Sequence, residues 1–197
     1  MIQRAEHTLH FLGQRNYLQG GTLFELLMTD FAGATDITFK IGRPLLTDRV
    51  RVSARTQMGL SNVAALFECR CPRVGQVSLA VQALVPSPEP RREPFDERRV
   101  VNRAHFTEQA VMLSEPSPFC LITTLTALNK ALLLHLLRPP EKGQWLFTRL
   151  DISRYPASFG RLMVRFRARA GFSAVANDIT IDDSPLGQIV FSWGEPA

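Results

Sequence analysis

The chain has 197 residues and a mass of 22.1 kDa, and 45% of its residues are apolar, which is enough for one large domain or two small ones without disulfides. Its formal charge of +5 is compatible with nucleic acid binding, but the arginines are spread over strand-like segments and one charged stretch, so we expect no nucleic-acid partner. An acidic protein or an anionic cofactor accounts for the charge equally well.

Cysteine and histidine spacing argues against a disulfide framework and a metal site. The three cysteines, Cys69, Cys71 and Cys120, match neither a disulfide pattern nor the paired spacing of a zinc site. His7 and His10 are three residues apart, which places them on opposite faces of a strand. The segment MIQRAEHTLH has no apolar stretch, and no run of about 18 apolar residues occurs. We therefore expect a cytoplasmic protein that neither binds a metal nor spans a membrane.

Residues 1–85 are predicted to form an extended segment, a helix and then four strands. "HTLHFLG" from His7 is strand-like, and "GGTLFELLMTDF" from Gly20 to Phe31 has apolar residues at helical spacing. The strand candidates that follow are residues 36–41, 49–55, 62–71 and 76–85.

Residues 86–99 differ in composition from the segments on either side. The stretch "PSPEPRREPFDERR" combines four prolines with a dense charge cluster and almost no apolar content. Such a stretch cannot form a core element, so we expect a solvated linker between two domains, 1–85 and 100–197.

Residues 100–197 repeat the order of the first half. An extended segment at 103–113 precedes a long apolar helix at 118–137, and the strand candidates are 144–152, 161–169, 172–181 and 188–193. "RPLLTDRVRV" from Arg43 and "YPASFGRLMV" from Tyr155 both place a proline, a turn and an arginine before an alternating strand. A duplicated unit is the simplest account, and chance similarity between amphipathic strands is the alternative.

The long helix indicates a fold. A helix that is apolar nearly all round, as at residues 121–137, must be covered on most sides. A twisted antiparallel sheet wrapped around one long central helix provides this cover, and that unit is the hotdog fold. We therefore expect an α+β double hotdog, with two tandem units whose sheets lie edge to edge.

Two short motifs in the first half resemble those of known hotdog families. "HFLG", from His10 to Gly13, and "GGTLFE", from Gly20 to Glu25, resemble the turn and the glycine-initiated helix of β-hydroxyacyl-acyl carrier protein dehydratases. Leu12 and Gln19 stand where that family has prolines. "YLQGGTLFELL" also resembles the helix start of hotdog thioesterases, with Gln19 in place of a histidine.

The resemblance implies chemistry on an acyl thioester. A thioester carbonyl held at a helix N-terminus meets free backbone N–H groups, and Gly20 and Gly21 allow that approach. Dehydration of a β-hydroxyacyl group needs a base, which histidine provides, and an acid, which a carboxylate provides. Hydrolysis instead needs the carboxylate to activate water.

In the dimeric dehydratases the histidine of one subunit meets the carboxylate of the other. Carried over to two tandem units, this implies that His105 pairs with Glu25, and that His10 pairs with Thr124, with Cys120 as a further candidate. Only the first pair contains both an acid and a base, so we expect one competent site and one degenerate site. A hydrogen-bonded core role for either histidine, and a solvent-facing Glu25, are the alternatives.

The remaining expectations concern substrate and partners. The predicted substrate-binding residues are Tyr17, Gln19, Gly20, Gly21, Cys120 and Asn129. No cofactor is expected beyond the phosphopantetheine or coenzyme A that carries the substrate. The expected partner is an acyl carrier protein or a coenzyme A thioester, and the chains themselves can associate as a homo-oligomer. Arginines that could steer such docking are Arg15, Arg43, Arg91, Arg92 and Arg103.

The leading functional expectation is dehydration in fatty-acid or polyketide-type biosynthesis. Thioester hydrolysis and acyl transfer of the kind catalysed by A-factor-type synthases are the enzymatic alternatives. A non-catalytic acyl-thioester-binding module is the alternative in another class, because Gln19 and the missing prolines are compatible with a dismantled site.

Overall fold

The computed structural model describes residues 5–57, 62–137, 142–156, 158–170 and 173–194. The chain divides into two compact units, with the boundary between Phe95 and Asp96. Each unit contains an antiparallel sheet and few helices, so the chain is of the α+β class. In the described residues, no helix has both the length and the apolar character needed to cross a membrane.

The first unit contains a five-stranded antiparallel sheet in the order β1-β4-β6-β5-β3. Its strands are β1 (Ala5–Thr8), β3 (Thr35–Ile41), β4 (Arg49–Ala54), β5 (Val63–Cys71) and β6 (Gly75–Ala83). A separate parallel pair is formed by β2 (Phe11–Leu12) and β7 (Arg92–Glu93). A short 3-10 turn, Arg55–Gln57, follows β4.

The helix of the first unit, α1 (Gly20–Met28), packs on this sheet through aromatic contacts. Phe24 is fully buried, and its ring lies 5.6 Å from that of Phe39 on β3 and 6.1 Å from that of Phe67 on β5, both edge-on. The helix is shorter than the predicted span to Phe31, because the chain turns at Thr29, whose hydroxyl donates to the Glu25 carbonyl.

The second unit contains a six-stranded antiparallel sheet in the order β10-β13-β12-β11-β9-β8. Its strands are β8 (His105–Phe106), β9 (Ala110–Leu113), β10 (Gln144–Arg154), β11 (Leu162–Ala170), β12 (Ala174–Ile181) and β13 (Ser184–Gly194). A short helix, α2 (Arg98–Val101), precedes β8. Asp182 and Asp183 have positive φ and form a two-residue turn that extends β13 beyond the predicted 188–193.

The long helix α3 (Leu121–Leu136) carries much of the core of the second unit. Ten of its residues are buried, and it contacts β9, β10 and β11. The prediction that an all-round apolar helix must be covered is confirmed. The helix begins at Leu121 rather than at residue 118, since Cys120 is extended with ψ 161°.

The two units share an element order but not a strand order. In the first unit β4 pairs with β6, whereas the corresponding β11 pairs with β12. The predicted duplication therefore does not extend to an identical topology. In the second unit β11, β12 and β13 are successive neighbours in the sheet, whereas in the first unit β5 lies between β3 and β6.

The strands predicted in both halves are confirmed with shifts of a few residues at their ends. The segment from His7 is the main exception, because it breaks at Leu9 and His10, between β1 and β2. The backbone N–H of Leu9 donates instead to the Asp48 carbonyl. Phe172, the predicted start of a strand, and Ala157, within the motif from Tyr155, lie outside the described residues.

The charged stretch 86–99 lies at the surface of the chain but is partly ordered. Most of its side chains are exposed, and Arg92–Glu93 form β7 alongside β2. Its last residues, Arg98 and Arg99, begin α2, whose Val100 is buried. The stretch therefore contributes regular structure to both units.

Candidate functional site

The N-terminus of α1 has no side-chain cap. Gln19 occupies the cap position with extended φ −70° and ψ 139°, and its side chain makes no capping hydrogen bond. The first backbone bond of the helix runs from Leu23 N–H to the Gln19 carbonyl. The N–H groups of Gly20, Gly21 and Thr22 precede it, so they are available to a bound acceptor. Gly21 is buried, whereas Gly20 is half-buried.

The Gln19 side chain is held by a neighbouring arginine instead. When the Gln19 amide is oriented with its oxygen towards Arg15, this oxygen accepts hydrogen bonds from Arg15 Nε and Nη1, each at 2.6 Å. The Arg15 guanidinium also lies 5.5 Å from the centre of the Phe95 ring. The side chain that could cap α1 is thus drawn away from the helix end.

Glu25 and Tyr17 flank this helix end, and both are half-buried. Glu25 lies on the first turns of α1, between the buried Phe24 and Leu27. Full burial of a carboxylate against apolar residues costs free energy. Glu25 stays partly exposed, so solvent or a ligand can reach its carboxylate.

His10 contacts a carboxylate that sequence reasoning did not identify. Its Nε2 lies 2.8 Å from Oε1 of Glu93, and the two side chains are 37% and 57% exposed. The contact arises because β2 and β7 pair in parallel, with Leu12 opposite Glu93. Glu93 lies in the stretch that composition predicts to be a linker, so only strand pairing could have identified it.

His105 lies on the edge strand β8 of the second sheet, opposite Met112 on β9, and its side chain is exposed. In the described parts of the chain no carboxylate forms an ion pair with His105, and its side chain is more exposed than that of His10. The predicted pairings of His105 with Glu25 and of His10 with Thr124 each join residues of different units, and they stay predictions.

At the start of α3 the hydroxyl and thiol groups make local contacts. Thr124 is fully buried, and its hydroxyl donates to Ser117 Oγ at 2.6 Å. Cys120 is exposed, and its thiol lies 3.1 Å from Thr123 Oγ1. These contacts attach the preceding loop to the first turn of the helix.

Asn129, a predicted substrate-binding residue, is fully buried in the second unit. It accepts a hydrogen bond from Nδ2 of Asn177 on β12. Its own Nδ2, and the Oδ1 of Asn177, have no hydrogen-bond partner in the part of the chain that the structure describes. The two amides thus connect α3 to the sheet.

A buried carboxylate, Asp48, lies in the first unit where sequence reasoning placed none. Its Oδ1 accepts from the backbone N–H of Ser87 at 2.8 Å. Burial alone raises the pKa of Asp48, but hydrogen bonds from Ser87 and the nearby Arg49 charge outweigh it, so the pKa lies below the ordinary 3.8. In the sequence, the charge of the adjacent Arg49 was the available indication that Asp48 could be buried as a carboxylate.

Several of the arginines predicted to steer docking hold the chain together. Arg92 Nη1 donates to the carbonyls of Gly13 and Arg15, at 3.2 and 2.6 Å. Arg103 donates to the Pro116 carbonyl at 3.2 Å and pairs with Glu115. The Arg43 guanidinium reaches the Asn62 carbonyl at 3.5 Å. Arg91 is exposed.

Metal ligands do not cluster in the described parts of the chain. Within residues 5–57, 62–137, 142–156, 158–170 and 173–194, no group of three or more histidine, cysteine, aspartate or glutamate side chains could hold a metal ion.

No family model matches the sequence, and no curated protein is similar to it. Solved structures match over most of the chain. A bifunctional dehydratase-cyclase domain in ambruticin biosynthesis is 15% identical, with a TM-score of 0.50, over 91% of this chain and 83% of its own. A GphF dehydratase variant is 11% identical, with a TM-score of 0.50, over 97% of this chain and 92% of its own. A Thermobifida fusca YX protein assigned as a thioesterase II is 11% identical, with a TM-score of 0.48, over 98% of this chain and 92% of its own.

At these identities the likeness shows the fold. The neighbours with a TM-score of 0.50 are hotdog-fold domains, and both are dehydratases, one of the two groups that the motifs at His10 and Gly20 resemble. The predicted resemblance is therefore confirmed at the level of the fold.

Proposed function

We propose that the chain is a double-hotdog protein that acts on an acyl thioester, with dehydration of a β-hydroxyacyl group as its reaction. The observation that carries the proposal is the uncapped Gly20–Gly21 start of α1 in a unit of hotdog type. Backbone N–H groups at such a position can donate hydrogen bonds to the thioester carbonyl oxygen and stabilise negative charge on it as the α-proton leaves.

The repeated element order supports the proposed double-hotdog arrangement. Each unit has a helix that precedes four strands, with α1 packed on the first sheet through Phe24 and α3 contacting three strands of the second. We propose that each sheet curves around its helix, and that the long apolar α3 is the central helix of its unit.

In the proposed reaction a histidine removes the α-proton of the substrate. The β-hydroxyl group leaves as water after it receives a proton from a carboxylic acid, and the product is an α,β-unsaturated thioester. His10 is the better supported base, because its imidazole is partly exposed and contacts Glu93 at 2.8 Å. We therefore propose that Glu25 acts with His10 of its own unit, in place of the predicted pairing with His105. Glu93 then acts as a positioning residue that fixes which ring nitrogen faces the substrate.

Glu25 is the proposed acid. It is half-buried on the helix whose N-terminus would hold the thioester. Thr124 at the start of α3 cannot supply a proton in the same way, because an alcohol is a far weaker acid than a carboxyl group. This difference favours a single competent site that uses Glu25.

Hydrolysis is the second candidate, because a carboxylate at the position of Glu25 can also activate water. A β-hydroxyacyl thioester distinguishes the possibilities. Dehydration raises enoyl absorbance, hydrolysis releases free thiol, and a binding module gives affinity without either product.

The test compares wild-type protein with Glu25→Gln and His10→Gln, using Asp30→Asn and His7→Gln as controls. Asp30 is exposed just beyond α1, and His7 lies on β1. Removal of a general acid or base is expected to lower kcat by about 10²–10⁴-fold, with the controls unchanged. Equal loss in the controls, or full activity in both site variants, would remove the proposal. His105→Gln, compared in the same assay, shows whether the histidine of the second unit is needed instead.

A further inference from the structure

A surface cavity of about 460 Å³ lies in the second unit, beside α2 and the loop that leads into α3. Its volume falls in the range of small-molecule sites, which is about 300–1,000 Å³. The lining residues are Asp96, Arg98, Arg99, Asn102, Arg103 and Pro118.

The cavity is basic. Three arginines and one aspartate line it, and Arg103 is paired with Glu115, so the lining together with this partner has a formal charge of +1. Among the described residues, no carboxylate lies within ion-pair distance of Arg98 or Arg99. Neighbouring Glu97 faces elsewhere, since its carboxylate lies 3.4 Å from Lys130 on α3. Two guanidinium groups are therefore free to bind an anion.

Helical spacing brings these side chains together. Arg98 and Asn102 are four residues apart, as are Arg99 and Arg103, so each pair lies one turn apart on neighbouring faces of α2 and its continuation. The Arg99 guanidinium lies 5.5 Å from the centre of the Phe119 ring, which leaves its N–H edges available. Asp96 is occupied, since its Oδ1 accepts from the Arg98 backbone N–H at 2.9 Å.

We propose that this cavity binds a phosphate ester through Arg98 and Arg99. Planar guanidinium groups match the geometry of phosphate oxygens and bind them through paired hydrogen bonds. A phosphate monoester carries a charge of roughly −1.5 to −2 near pH 7, so it is attracted to the Arg98 and Arg99 guanidinium groups more strongly than a single carboxylate is.

The identity of the phosphate ester rests on the proposed function. If the substrate is an acyl thioester, its carrier is coenzyme A, which has a phosphate monoester, or a phosphopantetheine arm, which is joined to its carrier protein through a singly charged phosphate diester. The cavity would then hold the phosphate end of the carrier, which makes it a recognition site for the carrier rather than for the acyl chain.

The test measures binding of coenzyme A and of pantetheine, which has no phosphate, by isothermal titration calorimetry. Arg98→Gln/Arg99→Gln is expected to weaken coenzyme A binding by about tenfold or more, because charge-assisted bonds to phosphate are lost, and to leave pantetheine binding unchanged. Arg165→Gln, an exposed arginine on β11, is the matched control and should bind as the wild type does. If the double variant misfolds, the single variant Arg98→Gln is used for the same binding measurement, because it removes no contact from the described fold.

The outcomes separate this proposal from the enzymatic one. Unchanged coenzyme A affinity in the double variant overturns the phosphate site, even if the protein dehydrates thioesters. A selective loss of coenzyme A binding supports the site, even if no thioester is turned over. With carrier protein as the probe, a loss confined to the holo form supports phosphate recognition. An equal loss for the apo form overturns it and indicates an acidic protein surface as the ligand.

Discussion

Asn177 Nδ2 donates to Asn129 Oδ1 at 2.5 Å, between β12 and α3, and neither side chain is exposed to solvent. Each amide has one further polar group without a partner in the described structure. Buried amides cost free energy unless they are hydrogen-bonded, so each asparagine depends on the other. This polar pair interrupts an otherwise apolar helix face and specifies how α3 lies against its own sheet.

Asn129→Leu is expected to lower the free energy of unfolding by about 1–3 kcal/mol, because Asn177 then has no partner at all. The double variant Asn129→Leu/Asn177→Leu should lose less than the sum of the two single changes, since no polar group is left buried. Urea unfolding of all four proteins measures the coupling. Additive losses would show that the two amides do not depend on each other.

Asp48→Asn is expected to destabilise the protein at neutral pH. The folded pKa of Asp48 lies below the ordinary 3.8, because hydrogen bonds from Ser87 and the Arg49 charge outweigh the effect of burial. The carboxylate therefore adds stability above pH 3.8, and this stability is lost as the pH falls through the lower, folded pKa. The gap between wild type and variant in urea unfolding should shrink from pH 7 to pH 3. Asp30→Asn is the exposed control, and a gap independent of pH would contradict the assignment.

Thiol reagents should distinguish Cys120 from the other two cysteines. Cys69 and Cys71 are buried on β5, and burial, followed by the proximity of Cys71, raises the pKa of Cys69 to about 11. The thiolate is the reactive species, so Cys69 stays protonated at pH 8. Native protein should release one equivalent of chromophore with a disulfide reagent, and three in urea. Cys120→Ser should abolish the native reaction, whereas a fast reaction that persists would place a second thiol at the surface.

Gly187→Ala should disrupt the pairing of β13 with β10. A Cβ at Gly187 would lie 2.0 Å from the Asp151 carbonyl oxygen and 2.7 Å from the Ile152 Cα, so the backbone itself would have to move. Gly75→Ala is the matched control, with φ +76° and no atom within 4 Å of the added Cβ. The control is expected to cost about 1–2 kcal/mol for its left-handed conformation, and Gly187→Ala should cost more. Thermal unfolding checks the order, and equal losses would contradict the close approach.

Much of the fold was predictable because periodicity reports on burial. The apolar spacing in α1 and α3 and the alternation in β4, β5 and β11 each reflect which side of an element faces its core. The motif around Gly20 also located a helix start that carries no side-chain cap. These properties are local, so a short window of sequence contains them.

Contacts between distant segments were not predictable in the same way. Glu93 approaches His10, and Asp48 is held by Ser87, because strands and loops far apart in the chain pair in the fold. The arginine cavity depends likewise on a loop folding back on α2. A single sequence records which residues are charged, but not which of them share a surface.

The sequence by itself determined the helices and strands, their repeated order and the hotdog class, since these follow from local spacing and from the need to cover an apolar helix. Only the tertiary structure decided the strand order in each unit and the carboxylate that contacts His10. The reason is physical: hydrogen bonding between strands and the desolvation of charged groups depend on three-dimensional proximity, which is established only when distant segments pack together.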